Sequence, residues 1–537
     1  MPGYKAAVLR AIECRPRLWL VAYCLLCWVP GWFAVPATDR DEARFAQATK
    51  QMTETGDVVT IMNGAVPRNR KPIGIYWLQL PGVLAAQAAG LAHENPIWPY
   101  RLPSLLGGLT AVLATHAIGR RLFSPRAALL GAAMLGGGLL LSAEVHIAKT
   151  DAALLGATTL AMAVLARAYV SRDMTFGAAL LFWAALGVGV LLKGPITPMV
   201  AALAAIVLCV VERRARWLVA LRPVPGIALL LVVVLPWFVA IGVATHGAFF
   251  QDAIGGDLAA KVAGGDDSHG APFGTHLVLL LGTALAGGWA ILCAAPSAWV
   301  SRREPATRFL LAWVVPAWLV FEAVPTKLPH YILPLLPPLC LLAARWAFEP
   351  ARTPRWLAAV AIGASVLVAL GLGGAAFALP FVVGGAWWLG VPGLLAGMLL
   401  AALLCVRGFT PPRRLCAGLL ATPLLYAAIL GFELPRLPAL WLGPELAAAV
   451  AANGGAPGGM AVVGLQEPSL MFALGTGTQW LSGRDAAAFL AGRPGRMVAV
   501  EARHAAEFPR NHPLATVTGY NYSNGHRVSL ALYGAHE

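Results

Sequence analysis

Long apolar stretches separated by short polar connections fill the chain up to about position 435. Fourteen stretches contain 17 to 25 mostly apolar residues each, and a helix needs about 20 such residues to cross a bilayer. The pattern therefore predicts a mainly α, polytopic membrane protein. The stretches cover residues 18–36, 75–92, 102–119, 127–147, 152–170, 175–192, 196–212, 224–245, 274–297, 308–324, 331–348, 356–380, 386–405 and 415–432.

The stretch at 75–92 differs from the others because Gln79, Pro81 and Gln87 interrupt it. If all fourteen stretches crossed, with the basic N-terminus in the cytoplasm, four arginine clusters would fall outside, against the positive-inside rule. If 75–92 instead lies on the outer surface, these clusters face the cytoplasm. We therefore predict thirteen spans and one outer interfacial helix. The clusters are Arg120, Arg121 and Arg126; Arg213, Arg214, Arg216 and Arg222; Arg302, Arg303 and Arg308; and Arg407, Arg413 and Arg414.

Beyond the apolar stretches the pattern changes to short β-rich runs at 460–464, 497–500 and 528–532, separated by helical pieces around 485–490 and 502–508. This predicts a small soluble α/β domain over 436–537. The transmembrane domain then covers 1–435 and includes an outer loop at 37–101. Thirteen crossings place the C-terminal domain outside the membrane, on the periplasmic side of a bacterial inner membrane.

Composition supports a membrane protein. Hydrophobic residues make up 58% of the chain and charged residues 12%, with a mean hydropathy of +0.70, whereas soluble proteins have about 25% charged residues. A water-soluble enzyme and a disordered chain are therefore excluded. The net charge of +15 comes mainly from arginines, and their places between spans predict topology rather than a nucleic-acid partner. Four basic residues precede the first stretch, which we expect to be retained as an anchor.

Lysines and carboxylates gather at the predicted outer ends of the spans. Lys149 and Asp151 open one span, Lys193 stands between two, and Lys327 and His330 open another. Each has an ordinary explanation when taken alone, because lysines at helix ends often snorkel and acidic residues often begin helices. Several such sites on one face, together with the acidic loop after the first span, predict a pocket for an anionic headgroup.

The chemistry of such a pocket is constrained by its compartment. The sequence has no Walker lysine, no dinucleotide-binding glycine motif, no HExxH and no GxSxG. Nucleotide donors are absent outside the cytoplasmic membrane, so a transfer reaction there needs an activated donor carried by the membrane. A polyprenyl phosphate sugar fits, because lysine and arginine can hold its phosphate and a carboxylate can take the proton of the acceptor.

Four motifs follow one another along the chain: Asp41-Glu42-Ala43-Arg44-Phe45-Ala46, Lys71-Pro72-Ile73-Gly74-Ile75-Tyr76-Trp77, Arg101-Leu102-Pro103-Ser104 and Lys327-Leu328-Pro329-His330-Tyr331-Ile332-Leu333-Pro334. Together they resemble the aminoarabinose transferase and protein-mannosyltransferase superfamily, bacterial GT-C glycosyltransferases that use polyprenyl phosphate sugars. The resemblance covers about residues 15–435. It implies a GT-C fold with thirteen spans, outer juxtamembrane helices and an outer C-terminal domain.

The resemblance also implies roles for individual residues. Asp41 matches the catalytic carboxylate of the first outer loop, and Glu42 lies beside it as a second catalytic candidate. Lys71 matches a lysine that contacts the donor phosphate. The predicted donor-phosphate contacts are Arg44, Arg70, Lys71, Lys193, Lys327 and Tyr331, and the predicted pocket residues are Tyr76, Asp151, His269 and His330.

Arg70 is a departure from the family. The family has a glutamate before Lys-Pro, and its replacement by Arg70 removes a carboxylate that could hold a metal. A metal held through that carboxylate is therefore not expected, the phosphate site should be more cationic, and the sequence identifies no resident cofactor. The partners expected are the polyprenyl phosphate donor, membrane lipids and an acceptor.

The sequence leaves two questions open. The acceptor could be lipid A, another glycolipid, a polysaccharide or a protein. The alternative function from a different class is a lipid or solute transporter of the cell envelope. Transporters commonly show paired halves and broken helices at the membrane midplane, whereas this sequence shows no internal repeat and its ionisable residues gather at one face.

Overall fold

Long apolar helices make up the computed structural model, which describes residues 14–38, 40–91, 95–171, 173–258, 270–350, 353–509, 512–521 and 523–534. Within these residues ten helical segments are long and apolar enough to cross a membrane. The chain is therefore a multi-pass membrane protein, as predicted. The ten segments are Trp98–Leu122, Thr150–Ser171, Phe176–Lys193, Pro223–Ala244, Thr275–Val300, Pro305–Ala323, Pro329–Phe348, Arg355–Val383, Trp387–Cys405 and Pro411–Arg436.

Three further elements lie where the sequence predicted spans. Helices Pro125–Gly136 and Leu139–Val145 meet at a bend of 57°, and the number rises to eleven when this pair is counted as one broken span. Helices Pro16–Trp28 and Ile196–Glu212 are apolar but shorter than 18 residues. Thirteen is reached only when these two short helices are counted as spans.

The bend at Gly137 frees backbone carbonyls, and aromatic side chains from distant helices bond to them. The indole of Trp28 donates to the carbonyl of Gly136 at 3.0 Å, and the hydroxyl of Tyr426 donates to that of Gly137 at 2.9 Å. A side chain at Gly137 would collide with Tyr23. Because these partners satisfy the freed groups inside an apolar bundle, the bend is a built feature rather than a weak point.

The two ends of the bundle differ in their polar residues. At one end, Arg308 pairs with Glu212 at 2.7 Å, and Arg345 pairs with Glu304 at 2.6 Å and lies over the ring of Phe123. These residues belong to connections that the positive-inside argument placed on one side. The opposite end carries a large cavity, and we name the two ends the arginine end and the cavity end.

A compact insertion at the cavity end connects the first helix to the next long one. It contains helix α1 (Arg40–Thr55), the two-residue strands β1 (Met62–Asn63) and β2 (Val66–Pro67), and helix α2 (Gly74–Ala88). Helix α2 occupies the predicted interfacial segment, and its 15 residues reach only about 22 Å, less than the roughly 30 Å of a hydrocarbon core. The buried Thr49 of α1 donates to Gln79 of α2 at 2.5 Å, which fixes the two helices together.

The C-terminal region contains five strands and three α-helices. The strands are β3 (Gly459–Val463), β4 (Gln479–Leu481), β5 (Arg496–Glu501), β6 (Ala515–Asn521) and β7 (His526–Gly534), and the helices are Leu442–Ala452, Pro468–Leu474 and Gly483–Ala491. The strands form one sheet in the order β4-β3-β5-β7-β6, in which β3, β4 and β5 are parallel and β7 is antiparallel to both β5 and β6. The small α/β region is thus confirmed, with two strands and two helices that sequence patterns missed, while its boundary at 435/436 stays a prediction.

Candidate active site

A cavity of about 950 Å³ lies at the cavity end of the bundle. Its walls come from three parts of the chain: the insertion, the ends of the long helices, and the C-terminal region. Twelve site residues were predicted, of which eleven lie in the described part of the chain and eight line this cavity. The lining includes Asp41, Arg44, Arg68, Arg70, Lys71, Lys149, Asp151, Lys193, Asp252, His330 and Tyr331.

Asp41, in the first turn of α1, presents a half-exposed carboxylate to this cavity. Its oxygen lies 3.4 Å from a guanidinium nitrogen of Arg68 and 3.5 Å from one of Arg44. Partial burial alone would raise the pKa of Asp41, but Arg68, Arg44, Lys149 and Lys71 outweigh it and hold the pKa below its usual value. The carboxylate is therefore charged and available to a ligand near neutral pH.

Glu42, the next residue, has the opposite environment. Its side chain is fully buried and pairs bidentately with Arg101, at 2.8 and 3.1 Å. It also accepts hydrogen bonds from the backbone amides of Thr38 and Ala148. Glu42 does not line the cavity, so the prediction that it is catalytic is corrected: all of its acceptor capacity serves to hold α1 against the bundle.

A row of alternating charges forms the bundle side of the cavity. Lys149 lies 3.1 Å from Glu144 and 3.9 Å from Asp151, and Asp151 accepts from Lys193 at 2.5 Å. Asp151 and Lys149 are more than nine-tenths buried, and Lys193 is partly exposed. Because each carboxylate has a lysine partner, the lysines keep fixed positions facing the cavity.

The motif that begins at Lys327 contributes two of its three predicted site residues to the cavity. His330 and Tyr331 line the cavity, and the ammonium of Lys193 lies 5.7 Å from the centre of the Tyr331 ring. Lys327 is buried and donates to the carbonyl of Val324 at 2.9 Å, outside the lining. The prediction that Lys327 contacts the donor phosphate is therefore corrected, because its ammonium instead caps the C-terminal end of the preceding helix.

Tyr76 lies behind the cavity rather than on its surface. It is fully buried, its ring packs 5.4 Å from that of Phe45, and its hydroxyl has no hydrogen-bond partner among the described residues. Burial raises the pKa of Tyr76 to about 12. The prediction that Tyr76 lines the pocket is therefore corrected. Tyr76 lies beneath Phe45, and Phe45 lines the cavity. The other pocket candidate, His269, lies outside the described residues.

Some cavity residues were not predicted. Arg68 follows the β1–β2 hairpin, and its guanidinium lies over the ring of Phe45 at 4.4 Å as well as beside Asp41. Four more come from the C-terminal region: Gln466, Pro468, Met471 and Trp480. The arginine-rich run at 68–71 gave a signal for Arg68, whereas nothing in the sequence pairs the C-terminal region with the first loop.

Three side chains beside the cavity lie close enough together to be compared with a metal site. Glu144, Asp151 and His330 are the group among the described residues whose ligand atoms come within 4.8 Å of one another. Both carboxylates already contact lysine ammonium groups, at 3.1 and 2.5 Å. A cation between them would meet two positive charges, so these residues fit a lysine-neutralised cluster better than a metal centre.

Comparison with known proteins gives similarities to one group of transferases. Residues 71–239 match the family described as Dolichyl-phosphate-mannose-protein mannosyltransferase. The undecaprenyl phosphate-alpha-4-amino-4-deoxy-L-arabinose arabinosyl transferase 1 of Pseudomonas fluorescens is 29% identical over 310 residues, or 56% of this chain and 54% of that protein. The aligned part thus spans about half the length of this curated relative.

Solved structures share the fold over nearly the whole chain. ArnT from Cupriavidus metallidurans, crystallised with undecaprenyl phosphate, has a TM-score of 0.74 at 21% identity and covers 96% of this chain and 97% of its own. The oligosaccharyltransferase of Archaeoglobus fulgidus has a TM-score of 0.52 at 12% identity, covering 87% of this chain and 64% of its own. The resemblance read from the motifs and the predicted GT-C fold are confirmed.

Proposed function

From a GT-C fold and its likeness to the aminoarabinose transferases, we propose that this chain is a membrane glycosyltransferase that moves a sugar from a polyprenyl phosphate to an acceptor. The observation that carries the proposal is the cavity, in which a charged, accessible carboxylate faces fixed lysines at one end of a membrane-spanning bundle. The relative from Pseudomonas fluorescens is named for an undecaprenyl phosphate sugar, which supports this donor class.

The charges of the cavity suit a phosphate bound to a lipid. Six cationic side chains and three carboxylates line it, so the walls carry an excess of positive charge. Lys149 and Lys193 lie at the ends of long helices, where the phosphate of a lipid anchored in the bilayer would lie. The cationic residues are Arg44, Arg68, Arg70, Lys71, Lys149 and Lys193, and the carboxylates are Asp41, Asp151 and Asp252.

The reaction then follows from the positions of these groups. The acceptor oxygen forms a bond to the anomeric carbon, and the bond from that carbon to the phosphate oxygen breaks with its electron pair. The lysines and Tyr331 stabilise the charge on the leaving phosphate. Asp41 takes the proton of an acceptor hydroxyl, or orients the acceptor where that group is already ionised. Glu42 acts only by holding α1 in place.

The localisation and the acceptor belong to the same proposal. The arginine end faces the cytoplasm of a bacterial cell, and the cavity end faces the periplasm across the inner membrane, since positive residues favour the cytoplasmic side. The acceptor is a lipid A, glycolipid, polysaccharide or protein of the envelope. The relatives named above are transferases, and none of them favours the transporter alternative.

The first test replaces the proposed base. Asp41→Asn keeps the size of the side chain and removes its charge, so sugar transfer by purified protein should fall about 10²- to 10⁴-fold. Binding of undecaprenyl phosphate should remain. The matched control is Asp57→Asn, because Asp57 is an exposed carboxylate of the same insertion whose bonds go to Val59 and Thr60. Equal transfer rates for wild type and Asp41→Asn would refute the assigned role.

The second test addresses the donor phosphate. Lys71→Ala should weaken binding of undecaprenyl phosphate about ten- to a hundredfold, because a charge-assisted hydrogen bond contributes about 1.5–3 kcal/mol. Lys50→Ala is the matched control, since Lys50 is a partly buried lysine of α1 that lies outside the cavity. Equal losses in both variants would show that general charge, rather than this cavity, binds the lipid.

A further inference from the structure

The C-terminal region closes one side of the cavity with uncharged side chains. Gln466 and Pro468 follow strand β3, Met471 lies in the helix Pro468–Leu474, and Trp480 is in β4. These four residues carry no charge, whereas the bundle side of the same cavity carries lysines, carboxylates and His330. The bundle and the insertion thus give the cavity charged walls, and the C-terminal region gives it a neutral one, which we name the Trp480 wall.

The Trp480 wall is fixed to the insertion that carries Asp41. Gln47 of α1 donates to Thr476 at 2.7 Å, and Arg40 of α1 pairs with Glu467 at 3.5 Å. Asn95 donates to the carbonyl of Phe472 at 2.7 Å. These contacts come from both sides of the helix Pro468–Leu474, so the wall keeps a set position relative to Asp41.

The C-terminal sheet places the carboxyl end of a parallel strand beside the cavity. Residues 464–467 follow β3, one of three parallel strands, and ligands of α/β sheets bind at the carboxyl ends of parallel strands. Trp480 is partly buried, with its inner side against the core of this region formed by Leu442, Leu446 and Leu470. Trp480 also lines the cavity.

The direction of the reaction assigns a ligand to this wall. In a single displacement at a sugar carbon, the acceptor oxygen approaches from the side opposite to the leaving phosphate. The phosphate belongs on the charged wall, so the acceptor enters from the neutral one. We propose that Trp480, with Gln466 and Met471, forms a subsite for a carbohydrate ring of the acceptor; this inference rests on the function proposed above.

The side chains of the wall match that ligand. An indole face packs against the apolar C–H face of a sugar ring, and an amide such as Gln466 can both donate to and accept from ring hydroxyls. A peptide acceptor would need edge backbone groups for pairing, and a bare lipid headgroup would need charge. The neutral, aromatic and amide lining therefore favours a glycan-bearing acceptor, so Trp480 is assigned as a residue that sets acceptor specificity.

The experiment uses the full chain in lipid nanodiscs with undecaprenyl phosphate aminoarabinose as donor. The acceptor probes are lipid A, which carries a sugar disaccharide, and a serine- and threonine-containing peptide. Trp480→Ala should raise the KM for lipid A about three- to tenfold and leave the affinity for undecaprenyl phosphate within twofold of wild type. Trp480→Phe should recover part of the loss. Phe489→Ala, which truncates a partly buried aromatic of the same region outside the cavity, should leave this KM unchanged.

Each result decides between the two proposals. Wild-type protein that does not bind undecaprenyl phosphate would overturn the proposed function itself. If the donor binds and transfer occurs, an unchanged lipid A KM in Trp480→Ala, or the same rise in Phe489→Ala, would overturn only the acceptor subsite. A change confined to donor affinity would move Trp480 to the donor side. Transfer to the peptide alone, or to neither probe, would reject a carbohydrate acceptor.

Discussion

Asp41 and Glu42 are adjacent, but replacing the carboxylate by an amide should mainly lower activity at Asp41 and mainly lower stability at Glu42. Glu42→Gln keeps the shape of the side chain but places an amide against the buried guanidinium of Arg101, which already donates to the carbonyls of Trp32 and Val35. The substitution removes the charged, bidentate pair between Glu42 and Arg101, whose contacts of 2.8 and 3.1 Å are fully buried. Breaking a buried pair by removing one partner costs about 3–5 kcal/mol.

The assay is equilibrium unfolding of purified protein in mixed micelles of sodium dodecyl sulfate and a non-ionic detergent. We expect Glu42→Gln to lower the free energy of unfolding by about 3–5 kcal/mol, and Asp41→Asn to change it by less than about 1 kcal/mol, since exposed pairs contribute little. The double variant with Arg101→Met removes both charges and should lose less than the sum of the single variants.

Transfer rates complete this prediction. The fraction of Glu42→Gln that remains folded should keep most of its activity per molecule, because Glu42 does not touch the cavity. An unchanged stability in Glu42→Gln, or a loss of activity as large as that of Asp41→Asn in fully folded protein, would refute the assignment of Glu42 as a positioning residue.

Two other predictions follow from the structure. Arg68→Gln removes a cation that holds the pKa of Asp41 low, so that pKa should rise and the acid limb of the kcat/KM profile should move to higher pH; an unmoved limb would exclude Asp41 as the titrating base. Cysteines introduced at Thr38 and Asn63 should react with an impermeant thiol reagent added outside the inner membrane, whereas one at Arg303 should not. The reverse labelling would invert the proposed orientation.

The spans could be predicted because the information is local. About 20 consecutive apolar residues predict a membrane helix wherever they occur, and the arginines between them separated helix 74–88 from the spans. The broken span was missed in detail. Gly136, Gly137 and Gly138 permit a bend, but the sequence does not show that Trp28 and Tyr426 are placed to bond its carbonyls.

The site was predicted less completely than the fold, because side-chain direction depends on tertiary packing. Successive residues on a helix point about 100° apart, so Asp41 faces the cavity while Glu42 faces the bundle. Lys327 shares a motif with Tyr331 but donates to its own helix end. Trp480 reaches the cavity through contacts between parts of the chain more than 400 residues apart, as the Gln47–Thr476 bond shows, and no periodicity reports such contacts.

The bond between Tyr426 and Gly137 joins residues 289 positions apart, and this separation bears on biosynthesis. At about 5–20 residues per second, the ribosome adds Tyr426 roughly 15 to 60 s after Gly137 has been made. Until then the carbonyl of Gly137 lacks its native partner, and the helix Leu139–Val145, which carries Glu144, is not held at its final angle. Glu144 contacts Lys149 at 3.1 Å, so ribosome-stalled intermediates are expected to bind undecaprenyl phosphate only after the last span has entered the membrane.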